Sequence, residues 1–121
     1  MIVSILDGTK KSLGIDKEYK AFDHDIQTHI NAVFATLTQL GVGPSEGFLV
    51  QDEFAEWGDF LGTDPRLNNV QTYVYLRVRL LFDPPTNSFT INAIQEQIKE
   101  MEWRLVEQTA PPVIFTDDSL V

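Results

Sequence analysis

The sequence predicts an all-α protein, a small bundle of about four to five helices with an extended C-terminal arm. Apolar residues recur at the three- and four-residue steps of amphipathic helices, and glycine or proline separates these periodic segments. The 121 residues, 43% of them hydrophobic, suffice for one core. We therefore predict one helical bundle domain over residues 1–109 and an extended tail over residues 110–121.

The first helix is predicted from Ser4 to Leu13. Ser4 is a suitable N-cap, and Asp7, three residues later, completes a partial capping box. Gly14 is a suitable residue to end the helix.

The clearest helical pattern begins at Phe22 and Asp23. We predict Asp23 as the N-cap, Phe22 as a hydrophobic staple against the first turns, and Gly41 as the left-handed residue after the helix. The apolar side chains that share one face of this helix are Ile26, Ile30, Val33, Phe34, Leu37 and Leu40.

A loop rich in glycine follows at residues 41–47 and leads into a short extended segment at residues 48–50. Asp52 is predicted to cap a helix that runs to about Leu61. Gly62 would stop that helix.

Aromatic side chains are concentrated in and after this loop. Phe54 and Trp57 are assigned to the inner face of the short helix, with Leu61, whereas Phe60 falls off that face. Trp103 likewise falls beside the apolar stripe of the last helix. Because exposed aromatics mark interfaces, Phe60 and Trp103 are candidate partner contacts, with packing in a small core as the alternative.

The stretch from Val70 to Phe82 fits both a strand and a helix. Its side chains alternate as in a strand, yet they also form one helical face. The segment from Leu67 to Phe82 contains no glycine or proline and is long for a strand, so we predict a helix. Pro84 and Pro85 terminate it.

The last helix is predicted to begin at Asn87 or Ser88. Glu100 and Arg104 are placed to pair on its outer side. Its inner stripe consists of Ile91, Ile94, Ile98, Met101 and Leu105.

An apolar triplet, Val113, Ile114 and Phe115, follows Pro111 and Pro112. Such a segment suits strand addition or insertion into a groove. A tail folded back on its own bundle and a disordered tail are the alternatives. The triplet is our candidate partner-binding arm.

The chain carries a net charge of −9, from 18 acids and 9 bases, which disfavours binding to DNA phosphates. Residues 46–64 contain six carboxylates and no base. A solvated face is one interpretation; a wall that repels DNA or attracts a basic partner is the other. The acids concerned are Glu46, Asp52, Glu53, Glu56, Asp59 and Asp64.

The sequence contains no pattern typical of a catalytic or metal site. There is no cysteine, and His24 and His29 are five residues apart, whereas four would place them on one helical face. We therefore predict no enzymatic activity, no metal and no cofactor. The chain also shows no export signal at its start and no apolar run of membrane-spanning length.

Four blocks of sequence occur in an order that resembles the head–tail connector proteins, also called adaptor or head-completion proteins, of long-tailed phages and prophages. The resemblance covers residues 2–105. The blocks are FDHDIQTHIN (22–31) with QLGVGP (39–44) and GF (47–48), then WGDFL (57–61), YVYLRVRLLFDPP (73–85) and EWRL (102–105).

This resemblance implies a virion protein, made in the host cytoplasm, that forms a ring, usually twelve-fold, beneath the portal after DNA packaging. The ring would contact neighbouring subunits, extend the DNA channel without sequence-specific binding, and present a docking surface to a stopper or tail-completion protein. A C-terminal extension that holds the portal corresponds by position to residues 110–121. A small acidic inhibitor that mimics DNA and binds a basic enzyme is the alternative function.

Overall fold

The structure, a computed structural model, describes residues 4–62 and 67–109. The prediction of an all-α fold is confirmed, because the described residues form five helices and no β-strand. Their β-type pairing is limited to an isolated bridge between Ser4 and Glu56. The helices are α1 (Ile5–Ser12), α2 (Asp23–Gln39), α3 (Trp57–Leu61), α4 (Leu67–Phe82) and α5 (Ser88–Thr109).

Helix α4 lies at the centre of the bundle and packs against α1, α2, α3 and α5. It runs antiparallel to α2, since Phe82 at its end packs edge-on against Phe22 just before α2, with ring centroids 5.3 Å apart. The predicted face of α2 is confirmed, with Leu40 only partly buried. The core includes Ile5, Leu6, Ile26, Ile30, Val33, Phe34, Leu37, Trp57, Phe60, Val70, Tyr73, Val74, Val78, Ile98 and Leu105.

The start of α1 is as predicted. Ser4 is the N-cap, and its Oγ accepts a hydrogen bond from the Asp7 N–H over 3.2 Å. The cap satisfies one of the backbone donors that a helix leaves free in its first turn.

The start of α2 differs from the prediction, because Asp23 is the first helical residue and Phe22 takes the N-cap position. The Asp23 carboxylate is engaged elsewhere: its Oδ1 lies 2.7 Å from Nζ of Lys10. Lys10 is fully buried and also donates to the carbonyls of Lys17 and Tyr19. A buried ammonium thus fixes the connection between α1 and α2.

Helix α2 ends in a Schellman motif around Gly41, which adopts the left-handed conformation predicted for it. Gly41 has φ +84°, and its N–H donates to the Thr38 carbonyl. The N–H of the buried Val42 donates to the Leu37 carbonyl over 2.9 Å. The motif satisfies carbonyls that would otherwise lack partners and directs the following loop back over the bundle.

The prediction of a helix capped by Asp52 is wrong. Helix α3 begins only at Trp57, and its N-cap is Glu56, which forms a capping box with Asp59. Asp52 Oδ1 instead accepts the Phe54 N–H over 2.9 Å in a local turn. The hydrogen bond within this turn occupies the carboxylate of Asp52, so Asp52 does not act as a helix cap.

Helices α4 and α5 form an antiparallel hairpin, and their predicted helical conformation is confirmed. Asn87 Oδ1 accepts the Phe89 N–H over 2.7 Å at the start of α5. The predicted outer pair is present, with Arg104 Nη2 lying 2.9 Å from Glu100 Oε1. Of the predicted α5 stripe, Ile94, Ile98 and Leu105 are buried, and Ile91 and Met101 are partly buried.

The predicted arm at residues 110–121 and Asp64 lie outside the described residues, so the boundary proposed at residue 109 remains a prediction. Within the part of the chain that the structure describes, no helix has the length and apolar character needed to cross a membrane.

Candidate functional site

Residues 46–59, which we call the acidic segment, are held against the bundle rather than free of it. Asn31 of α2 bonds to the backbone of Val50 in both directions. Asn31 Oδ1 accepts the Val50 N–H over 2.7 Å, and Asn31 Nδ2 donates to the Val50 carbonyl over 3.0 Å. The Asn31 amide therefore satisfies both backbone groups of Val50, as a neighbouring β-strand would do.

A second attachment joins the acidic segment to the start of α1. Ser4 Oγ donates to the Glu53 carbonyl over 2.6 Å, and the Ile5 N–H donates to the Ala55 carbonyl over 2.9 Å. The bridge between Ser4 and Glu56 belongs to the same attachment. The backbone of the acidic segment is thus bonded to α2 at Val50 and to the start of α1 at Glu53 and Ala55. These bonds hold the carboxylates of the segment on a fixed backbone.

Three of the predicted acidic residues have local structural roles. Asp52 closes the turn before α3, and Asp59 Oδ2 accepts the Glu56 N–H over 2.9 Å. The Glu56 side chain accepts the Asp59 N–H in return. All three side chains are exposed, so they combine backbone capping with a negative surface.

Glu53 is paired across the fold with Lys20, whose Nζ lies 2.8 Å from Glu53 Oε2. This hydrogen bond raises the pKa of Lys20. The base comes from the connection before α2, which sequence spacing alone does not bring near the acids. Glu46 is exposed and lines a shallow surface groove with Phe48 and Leu49.

Phe60 does not lie on the surface, contrary to its assignment as an exposed aromatic. It is 3% exposed and stacks on Phe34 with ring centroids 4.5 Å apart. A Cβ on Gly43 would lie 2.5 Å from the Phe60 ring, so that loop also closes over it. Because α3 starts at Trp57, Trp57 and Phe60 lie three residues apart on the same side of the helix, and both are buried.

Trp103 lies on the surface, as its position beside the α5 stripe predicts, with 65% of its area exposed. Phe54, assigned to the inner face, is instead 77% exposed because it precedes α3 in a turn. Phe89 at the start of α5 is 85% exposed and is not among the partner contacts predicted from the sequence. Its position off the stripe that begins at Ile91 is the signal that could have identified it.

Further exposed aromatic surface lies where α2 begins and α4 ends. Phe22 packs against Tyr19 and Phe82, and the His29 ring lies 6.3 Å from that of Phe82. Tyr19 and Phe22 keep a large exposed fraction. Partly exposed aromatics of this kind suit contact with another protein surface.

Helices α4 and α5 are joined by a polar cluster of three side chains. The buried Tyr73 hydroxyl donates to Glu102 Oε2 over 2.7 Å, and Arg77 Nη1 lies 3.0 Å from the same oxygen. Burial raises the pKa of Tyr73, and the hydrogen bond to Glu102 raises it further. The cluster keeps the phenol protonated and holds the hairpin together.

Beside this cluster lies a surface groove between the two helices, the α4–α5 groove. The apolar side chains of Leu80, Leu81 and Ile98 contribute to its lining. Its charged and polar rim consists of Arg77, Gln95, Glu96, Lys99 and Glu102.

The described residues contain no group of three or more side chains able to hold a metal ion. What the structure does bring together is an anchored acidic surface, several exposed aromatic side chains and one interhelical groove. These features suit protein contacts and electrostatic repulsion of polyanions.

A family model described as phage connector protein matches residues 5–111 of the chain. No curated protein and no solved structure matches it.

Proposed function

The chain belongs to the phage connector protein family, and from this membership we propose that it is an adaptor subunit of the ring that joins the portal to the tail. A connector has a structural role in the neck of the virion. The proposed ring binds the portal after packaging, extends the DNA channel and offers a docking surface to the stopper or tail-completion protein.

The anchored acidic segment is the observation that carries this proposal. A channel for DNA must not retain it, and fixed carboxylates repel phosphates while remaining solvated. The acids we assign to the lumen or the tail-side surface are Glu46, Asp52, Glu53, Glu56 and Asp59. Glu53 contributes less than the others because Lys20 lies beside it.

We assign the portal contact to the arm residues Val113, Ile114 and Phe115. Trp103 remains a candidate contact because its exposed indole is the type of side chain enriched at interfaces. Phe60 is withdrawn from this set, since its ring is packed inside the subunit. Neighbouring subunits would then meet through the remaining exposed aromatics.

The proposed role requires no reaction, and the titratable groups described above support that view. Lys10, Asp59 and Glu102 each have a structural bonding role within the subunit. The subunit would act by burying apolar surface in a ring. Many weak contacts become strong when they act together, so a monomer could wait for the portal to template assembly.

Electron microscopy of the chain mixed with its own portal tests the proposal. We expect a ring added coaxially to the portal, with rotational symmetry, expected to be twelve-fold, visible in class averages. A full-length variant with serine at Val113, Ile114 and Phe115 should lose portal binding and keep its helical circular dichroism. Normal head–tail joining by that variant would contradict the arm assignment.

A pull-down from infected cells separates this proposal from the alternative of a DNA-mimicking inhibitor. Capture of the portal supports the connector ring. Capture of a nucleic-acid enzyme without the portal supports the inhibitor, which the acidic segment would also suit.

A further inference from the structure

We infer that the α4–α5 groove binds the C-terminal segment of the same chain, residues 110–121, in the isolated subunit. Leu80, Leu81 and Ile98 give the groove apolar surface, and Leu81 is 48% exposed. Leu80 is partly buried and Ile98 is 6% exposed, so Leu81 supplies most of the exposed apolar surface. Such a surface in a groove between two helices suits an apolar peptide. The segment that begins after Thr109 supplies one.

The position of the groove matches the reach of this segment. Ile98 lies eleven residues before Thr109, which is roughly 16 Å along a helix axis. An extended chain advances about 3.3 Å per residue, so the six residues from 110 to 115 can span roughly 20 Å. Pro111 and Pro112 disfavour continuation of the helix and allow the chain to turn back.

The chemistry of the segment also matches the groove. Val113, Ile114 and Phe115 would cover apolar side chains that water otherwise contacts. Asp117 and Asp118 follow after one intervening residue, and the protein is strongly acidic overall, so few of its surfaces would accept these carboxylates.

The rim of the groove offers the segment two basic side chains. Among the described residues, Arg77 pairs with Glu102, and Lys99 forms an exposed pair with Glu96 over 3.6 Å. Such an exposed pair is weak, so the Lys99 ammonium is available to a second carboxylate.

Residues 110–121 continue directly from α5, which forms one wall of the groove. This attachment favours binding of the chain's own segment over binding of the segment from a second copy. A short tether gives an effective concentration of about millimolar, far above that of free subunits in dilute solution. The inference concerns the isolated subunit and does not depend on the proposed role in the neck. If the arm also holds the portal, the triplet must leave the groove first.

Disulfide trapping in the full-length chain tests the inference, because the protein has no cysteine. One variant combines Ser119→Cys with Gln95→Cys, on the groove rim. The matched control combines Ser119→Cys with Gln97→Cys. Gln97 is also an exposed α5 glutamine, but it is not among the groove residues and lies closer to the C-terminus. A freely moving tail would therefore reach position 97 at least as often as position 95.

We expect an intramolecular disulfide at position 95 to form about tenfold faster than at position 97, at a rate independent of protein concentration. Adding Ile114→Ser and Phe115→Ser, or separately Leu81→Gln at the exposed groove position, should reduce the rate to that of the control. Equal rates at the two positions would overturn the inference. Disulfide-linked dimers as the main product would also overturn it, and would assign the groove to the segment of a second copy.

Discussion

Nζ of Lys10 lies 2.7 Å from Oδ1 of Asp23, and this contact joins the last turn of α1 to the first residue of α2. The lysine side chain has no exposed surface. Removing one partner from a buried pair leaves the other charge without compensation, which costs more than the pair itself contributes.

We predict that Lys10→Met lowers the free energy of unfolding by about 2–4 kcal/mol, because Asp23 loses its ion-pair partner and two carbonyls lose their donor. Urea denaturation followed by circular dichroism measures the change. Lys11→Met, at the exposed neighbouring position, is the control and should alter stability by less than about 0.5 kcal/mol. Equal stabilities of the two variants would show that the buried ammonium is dispensable.

Asn31→Ala should release the acidic segment from α2. The substitution leaves the Val50 N–H and carbonyl without their partners, at a cost of about 1–3 kcal/mol. Amide hydrogen exchange at Val50 should accelerate more than exchange in α5. Asn92→Ala, at an exposed position of α5, controls for the change in helix propensity. Unchanged exchange at Val50 would mean that the loop is held by other contacts.

Phe60 and Phe89 provide a matched pair, one buried and one exposed. Phe60→Ala should destabilise the fold by about 3–5 kcal/mol, because it leaves a cavity beside Phe34. Phe89→Ala should change stability by less than about 0.5 kcal/mol. Thermal unfolding of both variants measures the difference. A stable Phe60→Ala variant would refute the packing described for this ring.

Tyr73 should make the protein lose stability in alkaline solution. Its pKa in the folded state is raised, so above the usual pKa of a tyrosine the unfolded chain releases a proton that the native state retains. The advantage of the wild type over Tyr73→Phe, about 1–2 kcal/mol, is therefore fully present at neutral pH. It should be lost as the pH rises above about 10, by about 1.4 kcal/mol per pH unit.

Denaturation of both proteins between neutral and strongly alkaline pH measures this difference. Other alkaline titrations, including that of Tyr75, whose pKa burial also raises, occur in both proteins and cancel. A constant difference across the range would show that Tyr73 titrates in the folded state as it does in the unfolded chain.

Neutralising the acidic segment should slow DNA release without unfolding the subunit. Amide side chains keep the acceptor oxygens that cap α3, and the pair of Glu53 and Lys20 is exposed to solvent, so its loss should change stability little. The five substitutions are Glu46→Gln, Asp52→Asn, Glu53→Gln, Glu56→Gln and Asp59→Asn.

The rate of DNA ejection from particles assembled with this variant is the measurement. The control neutralises five exposed acids elsewhere, namely Asp16, Glu18, Asp25, Asp83 and Glu107. Equal ejection rates for the two variants would contradict the assignment of the acidic segment to the DNA channel.

The sequence predicted the four longer helices because their ends carry explicit local signals, such as Ser4 before α1 and Gly41 after α2. It did not predict the start of α3. Asp52 has the same capping chemistry whether a helix or a turn follows, and the attachment of Ala55 to Ile5 favours the turn. That shift of the helix start also exchanged the expected positions of Phe54 and Phe60.

Tertiary contacts account for the remaining differences. The burial of Lys10 depends on carbonyls and a carboxylate that α1 alone does not contain, so helical periodicity could not indicate it. The same holds for Lys20, which the fold brings to Glu53. Exposure of Trp103 was predictable, because it follows from the position of that residue relative to the α5 stripe.

The bond between Ser4 and Glu53 has a consequence for the nascent chain. These residues are 49 positions apart, and α4, against which α1 also packs, is synthesised later still. During translation α1 can pack against α2 early, but its contacts with the acidic segment and with α4 form only after those later segments have been made. Helix α1 therefore reaches its complete set of contacts late in folding, although its pairing with α2 is available early.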